Sequence, residues 1–201
     1  MNRRLNVSAV TKVGNALLNA SAIPGRYGSI LILILVFVVL ISVVGSQFGL
    51  GELFTWDTSI PLFGTKLSMT SIGELQWHLF ALLVMLSGAY ALKEDRHIRV
   101  DVMSDRFSIR TRLWIDVLGD LFFLLPFFAL LAWYSFLFTQ NAYNFGEQSN
   151  AGGLIDRYLV KAVLPIGSVL MLIAGVGRIL RNLGLLFGRN NEDTASKELG
   201  Q

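Results

Sequence analysis

The stretch Ile30–Val44, ILILILVFVVLISVV, contains no charge, no proline and no glycine. With its flanks it makes an apolar span of residues 27–48, and about 20 such residues cross a hydrocarbon layer of about 30 Å at 1.5 Å per residue. Few of its side chains are small, so much of its surface is expected to face lipid. Three further apolar segments follow, at about residues 75–92, 109–138 and 162–180. Hydrophobic residues make up 53% of the chain and charged residues 15%, against roughly a quarter charged in a soluble domain. The fold class expected is an all-α integral membrane protein with four transmembrane helices. Residues 1–26 form an N-terminal segment, 27–183 the transmembrane domain and 184–201 a polar cytoplasmic tail, disordered in this reading.

Charge sets the orientation. Between the second and third spans lies KEDRHIRVDVMSDRFSIRTR, Lys93 to Arg112, the one densely charged stretch of the chain. Cytoplasmic connections carry an excess of Lys and Arg, while acids contribute little to topology. The N-terminal segment, this central loop and the C-terminal end hold fourteen of the seventeen basic residues, and the other connections hold only Lys66, Arg157 and Lys161. Both termini and the central loop are therefore expected in the cytoplasm of a multi-pass protein of the cell inner membrane. The net charge of +3 reflects that topology, and no nucleic-acid partner is expected.

Individual segments refine the picture. Leu5, Val10, Val13, Leu17 and Leu18 recur near helical spacing beside Arg3, Arg4 and Lys12, which fits either an amphipathic helix in the lipid headgroup region or a frayed basic tail. No small-x-small cleavage site stands near Gly45–Gln47, which argues against a signal peptide. The connection 49–73, rich in Gly, Thr and Ser, reads as an extracytoplasmic loop with Trp56 at the interface. Glu74 and His78 open the second span, where His78 is expected to bond a carboxylate or water. Ser87 and Ala91 form a small-xxx-small pair suited to close helix packing. Ser108 is a candidate N-cap for the third helix, and Pro126 should kink it. Arg112, Asp116 and Asp120 are four apart and share a face, so a salt bridge to Arg112 or to the loop arginines is the expected role of the two acids. An ion or proton role is the alternative, because an acid inside a membrane is a functional candidate by default. Gly167, Ser168, Ala174, Gly175 and Gly177 make the fourth span the best suited to tight packing.

Catalytic signatures are missing. There is no HExxH, no phosphate-binding glycine loop and no nucleophile beside a base. Cysteine is absent and histidine occurs twice, so thiolate metal sites are excluded and haem ligation is not expected. Broken helices and repeated halves, which substrate sites in transporters usually require, are not evident either. No cofactor and no enzyme activity are expected; an accessory or scaffold subunit is the economical reading.

The segment ALKEDRHIRVDV, Ala91–Val102, resembles the HxRVD signature of the small membrane subunit of TRAP (tripartite ATP-independent periplasmic) transporters. The similarity extends to the charged start of the third span, Arg112 to Asp120, to GEQS at Gly146–Ser149 and to LPIG at Leu164–Gly167. The resemblance implies a small permease subunit that braces the scaffold of a large, multispan permease subunit. That partner would perform cation-coupled uptake of an organic acid delivered by a periplasmic solute-binding protein. His97, Arg99, Asp101, Asp95, Arg112, Asp116, Asp120 and Glu147 become candidates for anchoring the loop or contacting the partner subunit. Membrane lipid would cover the rest. The rival readings are a four-span assembly or sensor protein without transport, and a membrane enzyme or electron carrier.

Overall fold

The computed structural model describes residues 2–94 and 107–198, and the side chains of 9–94 and 107–188. It is 77% helical, and four of its helical stretches are long and apolar enough to cross a membrane. In order, α1 (Asn2–Arg26) is followed by α2 (Gly28–Gln47), a hairpin of β1 (Glu52–Ile60) and β2 (Gly64–Ser68), and α3 (Met69–Lys93). Then come α4 (Ile109–Gly119), a π-helical turn (Asp120–Leu124), α5 (Leu125–Asn144), the short α6 (Tyr158–Lys161) and α7 (Val163–Glu198).

Local chemistry sets the ends of these elements. Ser108 Oγ accepts from the Thr111 amide at 3.2 Å, the expected N-cap of α4. Ser68 Oγ caps α3 in the same way, accepting from Ser71 N at 3.1 Å. Both α2 and α5 stop on a left-handed glycine. At Gly49 (φ 67°) and Gly146 (φ 58°) the glycine and the following residue bond back to the carbonyls of the last turn. That paired arrangement satisfies the final acceptors of a helix. Just before Pro126, where a kink is expected, the helix carries a π turn, closed by Leu125 N–H to Asp120 O. Widening the helix there relieves the clash between the proline ring and the carbonyl four residues earlier.

The N-terminal segment is helical from Asn2 to Arg26. Two stretches differ from the sequence reading. The backbone helix α7 continues to Glu198, well past residue 180. The connection 49–73 is not an irregular loop, because its middle folds as an antiparallel hairpin with Glu52 opposite Ser68 and Thr55 opposite Lys66. Trp56 Nε1 donates to Gly64 O at 2.6 Å across it, so the tryptophan closes the hairpin.

The chain packs as two compact units. One draws on Met1–Ile23, Ala89–Ala129 and Val169–Gln201, the other on Pro24–Gly88 and Leu130–Ser168. In the first, Leu18, Ala89, Leu92, Met171 and Ala174 form the core, with Leu124, Phe128 and Leu170 packed against it. Helices α1 and α7 meet there nearly backbone to backbone. A Cβ on Gly14 would lie 2.7 Å from Gly177 O, and one on Gly177 would lie 2.9 Å from Gly14 O. In the second unit a Cβ on Gly167 would stand 2.7 Å from Met85 Cβ, and one on Gly28 would stand 3.0 Å from Ser87 Oγ. As expected from its small residues, the last span is the most buried of the four. Leu33 and Phe37 of α2 are 70% and 67% exposed, which suits a lipid-facing helix.

Candidate functional site

The first unit buries an ion pair between two of its helices. Asp120, at the opening of the π turn, is 2% exposed. Arg178 of α7 reaches it with two nitrogens, Nε to Oδ2 at 2.6 Å and a second bond from the guanidinium to Oδ1. Two parallel charge-assisted bonds fix both planes, the geometry at which arginine excels. Beside the pair opens an apolar cleft of about 660 Å³, lined by Phe123, Phe127, Phe128 and Met171 and edged by Asp116. The π turn matters for this geometry, since its extra residue shifts the helical register between α4 and α5. The arrangement ties α7 to the third membrane helix. Both carboxylate oxygens of Asp120 are occupied by the guanidinium.

The second unit spends its polar groups on the connection between α5 and α6. Glu74, in the first turns of α3, accepts from Ser149 Oγ with one oxygen and from Leu154 N at 2.9 Å with the other. Ser149 Oγ also accepts from Ala151 N at 3.1 Å. A Cβ on Gly153 would fall 2.6 Å from Glu74 Oε2, so only glycine lets the loop close on the carboxylate. Leu154 beside it is fully buried. Glu147 pairs with Lys161, whose ammonium also sits 3.8 Å from the centroid of the Phe138 ring. Ile155 N donates to Leu62 O at 2.9 Å, joining this loop to the hairpin turn.

These contacts revise the residue assignments. Asp120 is an ion-pair residue, and its bidentate partner is Arg178. In the sequence Arg178 is one of the basic residues that end the last span, and a guanidinium just inside that end, on a helix of small residues, is the available signal. Asp116 lines the cleft, and Arg112 lies one turn N-terminal to it on α4. Glu147 anchors its own loop. His78 Nδ1 lies 2.5 Å from the backbone carbonyl of Glu74, so it bonds a helix carbonyl and not a carboxylate. Glu74, Ser149 and Gly153 were missed as a constellation, because 75 residues separate the acid from the hydroxyl it binds. Asp95, His97, Arg99 and Asp101 lie outside the described residues.

Comparison with known families decides the assignment. A family model described as "Tripartite ATP-independent periplasmic transporters, DctQ component" matches residues 61–184, more than half of the chain. The chain belongs to this family, the small permease subunits of TRAP transporters. No curated protein and no solved structure matches it. It is thus a multi-pass membrane component of a transporter. The matched range contains Glu74, the GEQS and LPIG segments and both members of the Asp120–Arg178 pair, whereas α1, α2 and β1 precede it. Two of the TRAP-like segments now have physical reasons. In GEQS, Gly146 ends a helix, Glu147 pairs with Lys161 and Ser149 meets Glu74. In LPIG, Gly167 admits Met85, and Ser168, the next residue, returns its hydroxyl to Leu164 O at 2.8 Å.

Proposed function

We propose that this small TRAP subunit is a static brace for the large permease subunit, which performs cation-coupled uptake of an organic acid supplied by a periplasmic solute-binding protein. The observation that carries this reading is how its interior charges are spent. Asp120 is satisfied by Arg178, Glu147 by Lys161, and Glu74 by Ser149 and Leu154. Such pairs lock helices and loops in place; a carrier instead keeps polar groups open along a path for its cargo. Wide apolar flanks remain for a large partner and for lipid.

The distribution of basic residues supports cytoplasmic termini and a cytoplasmic central loop, which puts the hairpin and the loop 145–157 on the opposite side. Helix α1 then lies in the headgroup plane. Its Thr11, Gly14, Leu18, Ser21 and Ala22 turn inward, Val10 and Val13 stay exposed on one flank, and Lys12, Asn15 and Asn19 form a polar face. Asp95, His97, Arg99 and Asp101 fasten the central loop to helix ends or to the large subunit.

Purification in mild detergent tests the proposal: a much larger multispan protein should co-isolate with this chain. Asp101→Ala should lower complex yield and uptake together. Uptake by this chain alone in liposomes would overturn the brace reading, as would lost uptake with a fully intact complex.

A further inference from the structure

Where the last span enters the bilayer, the second unit leaves two adjacent, opposite charges unused. The connections 49–73 and 140–161 hold three bases, Lys66, Arg157 and Lys161. Lys66 bonds Glu52 at 2.7 Å and Lys161 pairs with Glu147. Arg157 has no such match: its Nε is buried without a hydrogen-bond partner among the described residues. Glu74 feels its charge, but both oxygens of that carboxylate are taken, by Ser149 Oγ and Leu154 N. Asp156, the neighbour of Arg157, likewise makes no side-chain hydrogen bond or ion pair among the described residues. The backbone holds the two charges still. Asp156 adopts a left-handed φ of 52°, a strain that persists only where the surroundings over-determine it, often at functional surfaces. Around it Ile155 N donates to Leu62 O at 2.9 Å, Arg157 N to Glu147 O at 3.2 Å and Leu159 N to Asp156 O at 3.0 Å.

Depth indicates what meets them. Arg157 precedes Ala162, where the apolar span 162–180 begins, by five positions, about 7 Å at 1.5 Å per residue. The headgroup layer on either side of the hydrocarbon is roughly 5–7 Å thick, so both side chains start level with lipid phosphates. Tyr158, next in the chain, meets the exposed Tyr143 edge-on with ring centroids 5.0 Å apart, and tyrosines collect at this interface. A guanidinium there binds phosphate oxygens in parallel. A carboxylate beside it repels an anionic lipid but accepts from an ammonium. An ethanolamine phospholipid carries both groups a few bonds apart. A glycerol headgroup has no cation, and a choline nitrogen has no N–H to donate. We infer that Arg157 and Asp156 form a headgroup site for an ethanolamine phospholipid, with its phosphate on the guanidinium, its ammonium on the carboxylate and its acyl chains beside the last span. The inference needs only a membrane-spanning chain and stands apart from the brace reading.

The test is native mass spectrometry of the full chain, released from detergent with phosphatidylethanolamine, phosphatidylglycerol or phosphatidylcholine of identical acyl chains. The unsubstituted chain should retain phosphatidylethanolamine in preference to both others, a comparison that needs no variant to fold. Arg157→Gln should lower that occupancy about tenfold, the loss expected for a charge-assisted hydrogen bond. Asp156→Asn keeps the left-handed backbone accessible and should bring phosphatidylethanolamine down to the level of phosphatidylcholine. Lys66→Gln, which removes a base already paired with Glu52, should leave retention unchanged. Equal retention of the three lipids by the unsubstituted chain overturns the site, as does retention that neither Arg157→Gln nor Asp156→Asn alters. Repeating the measurement on the complex with the large subunit separates lipid from protein as the occupant. Expulsion of the lipid on assembly would mean that these charges meet the other subunit, which also overturns the site and leaves the brace intact.

Discussion

Replacing Asp120 by alanine strands Arg178 beside an apolar cleft. Asp120 is 2% exposed and the Arg178 side chain 10% exposed, so water does little to rescue the orphaned charge. Breaking a buried pair by removing one partner costs on the order of 3–5 kcal/mol, because the remaining charge keeps its desolvation penalty. At about 2–4 °C per kcal/mol for a chain of this size, the melting temperature should fall by roughly 10 °C. Removing both partners should cost much less. Asp120→Leu with Arg178→Met fills similar volumes with apolar groups, a replacement that is often neutral for buried pairs. Thermal unfolding of the parent, both single variants and the double variant in one detergent gives the coupling, expected at about 2–4 kcal/mol in favour of the intact pair. A double variant as unstable as the sum of the singles would refute the pairing. A parent-like melt for Asp120→Ala with uptake abolished would mean that the carboxylate handles an ion and is not a structural tie.

Two other perturbations separate packing from loop stapling. Gly167→Leu drives a side chain into Met85, where even a Cβ would sit 2.7 Å from its neighbour; about 1–3 kcal/mol of stability should be lost, read as a lower melting temperature, and an unchanged melt would contradict the close helix approach. Glu74→Leu removes both acceptors and leaves the Ser149 hydroxyl and the Leu154 N–H without the carboxylate. Loss of these part-buried bonds costs about 1–3 kcal/mol, so protease cleavage within 145–157 should accelerate several-fold while the helices stay intact.

Much of this architecture is local and therefore legible along the chain. Ile30–Val44 demands a membrane span by length and apolarity alone. Ser108 caps its helix because its own hydroxyl reaches the amide three residues on. The glycines and serine of the last span announce close packing, since a missing side chain is itself the feature. The hairpin was hidden for a different reason. Its glycine-, threonine- and serine-rich surroundings look like loop, and its strand residues Phe54, Trp56 and Ile60 gain structure only by pairing with a second strand.

What the sequence alone determined is the number of spans, their family membership and the positions where helices start or approach one another, all properties carried by neighbours within a few residues or by composition over one bilayer thickness. The tertiary structure decided the partners. Asp120 had arginines closer in sequence, yet a π turn aims it at Arg178, 58 residues away. Glu74 looked like an interfacial acid until the fold brought Ser149 and Leu154 to its two oxygens. A carboxylate fixes the need for a donor wherever it is buried, but which donor arrives depends on how helices cross, and no local pattern encodes that geometry.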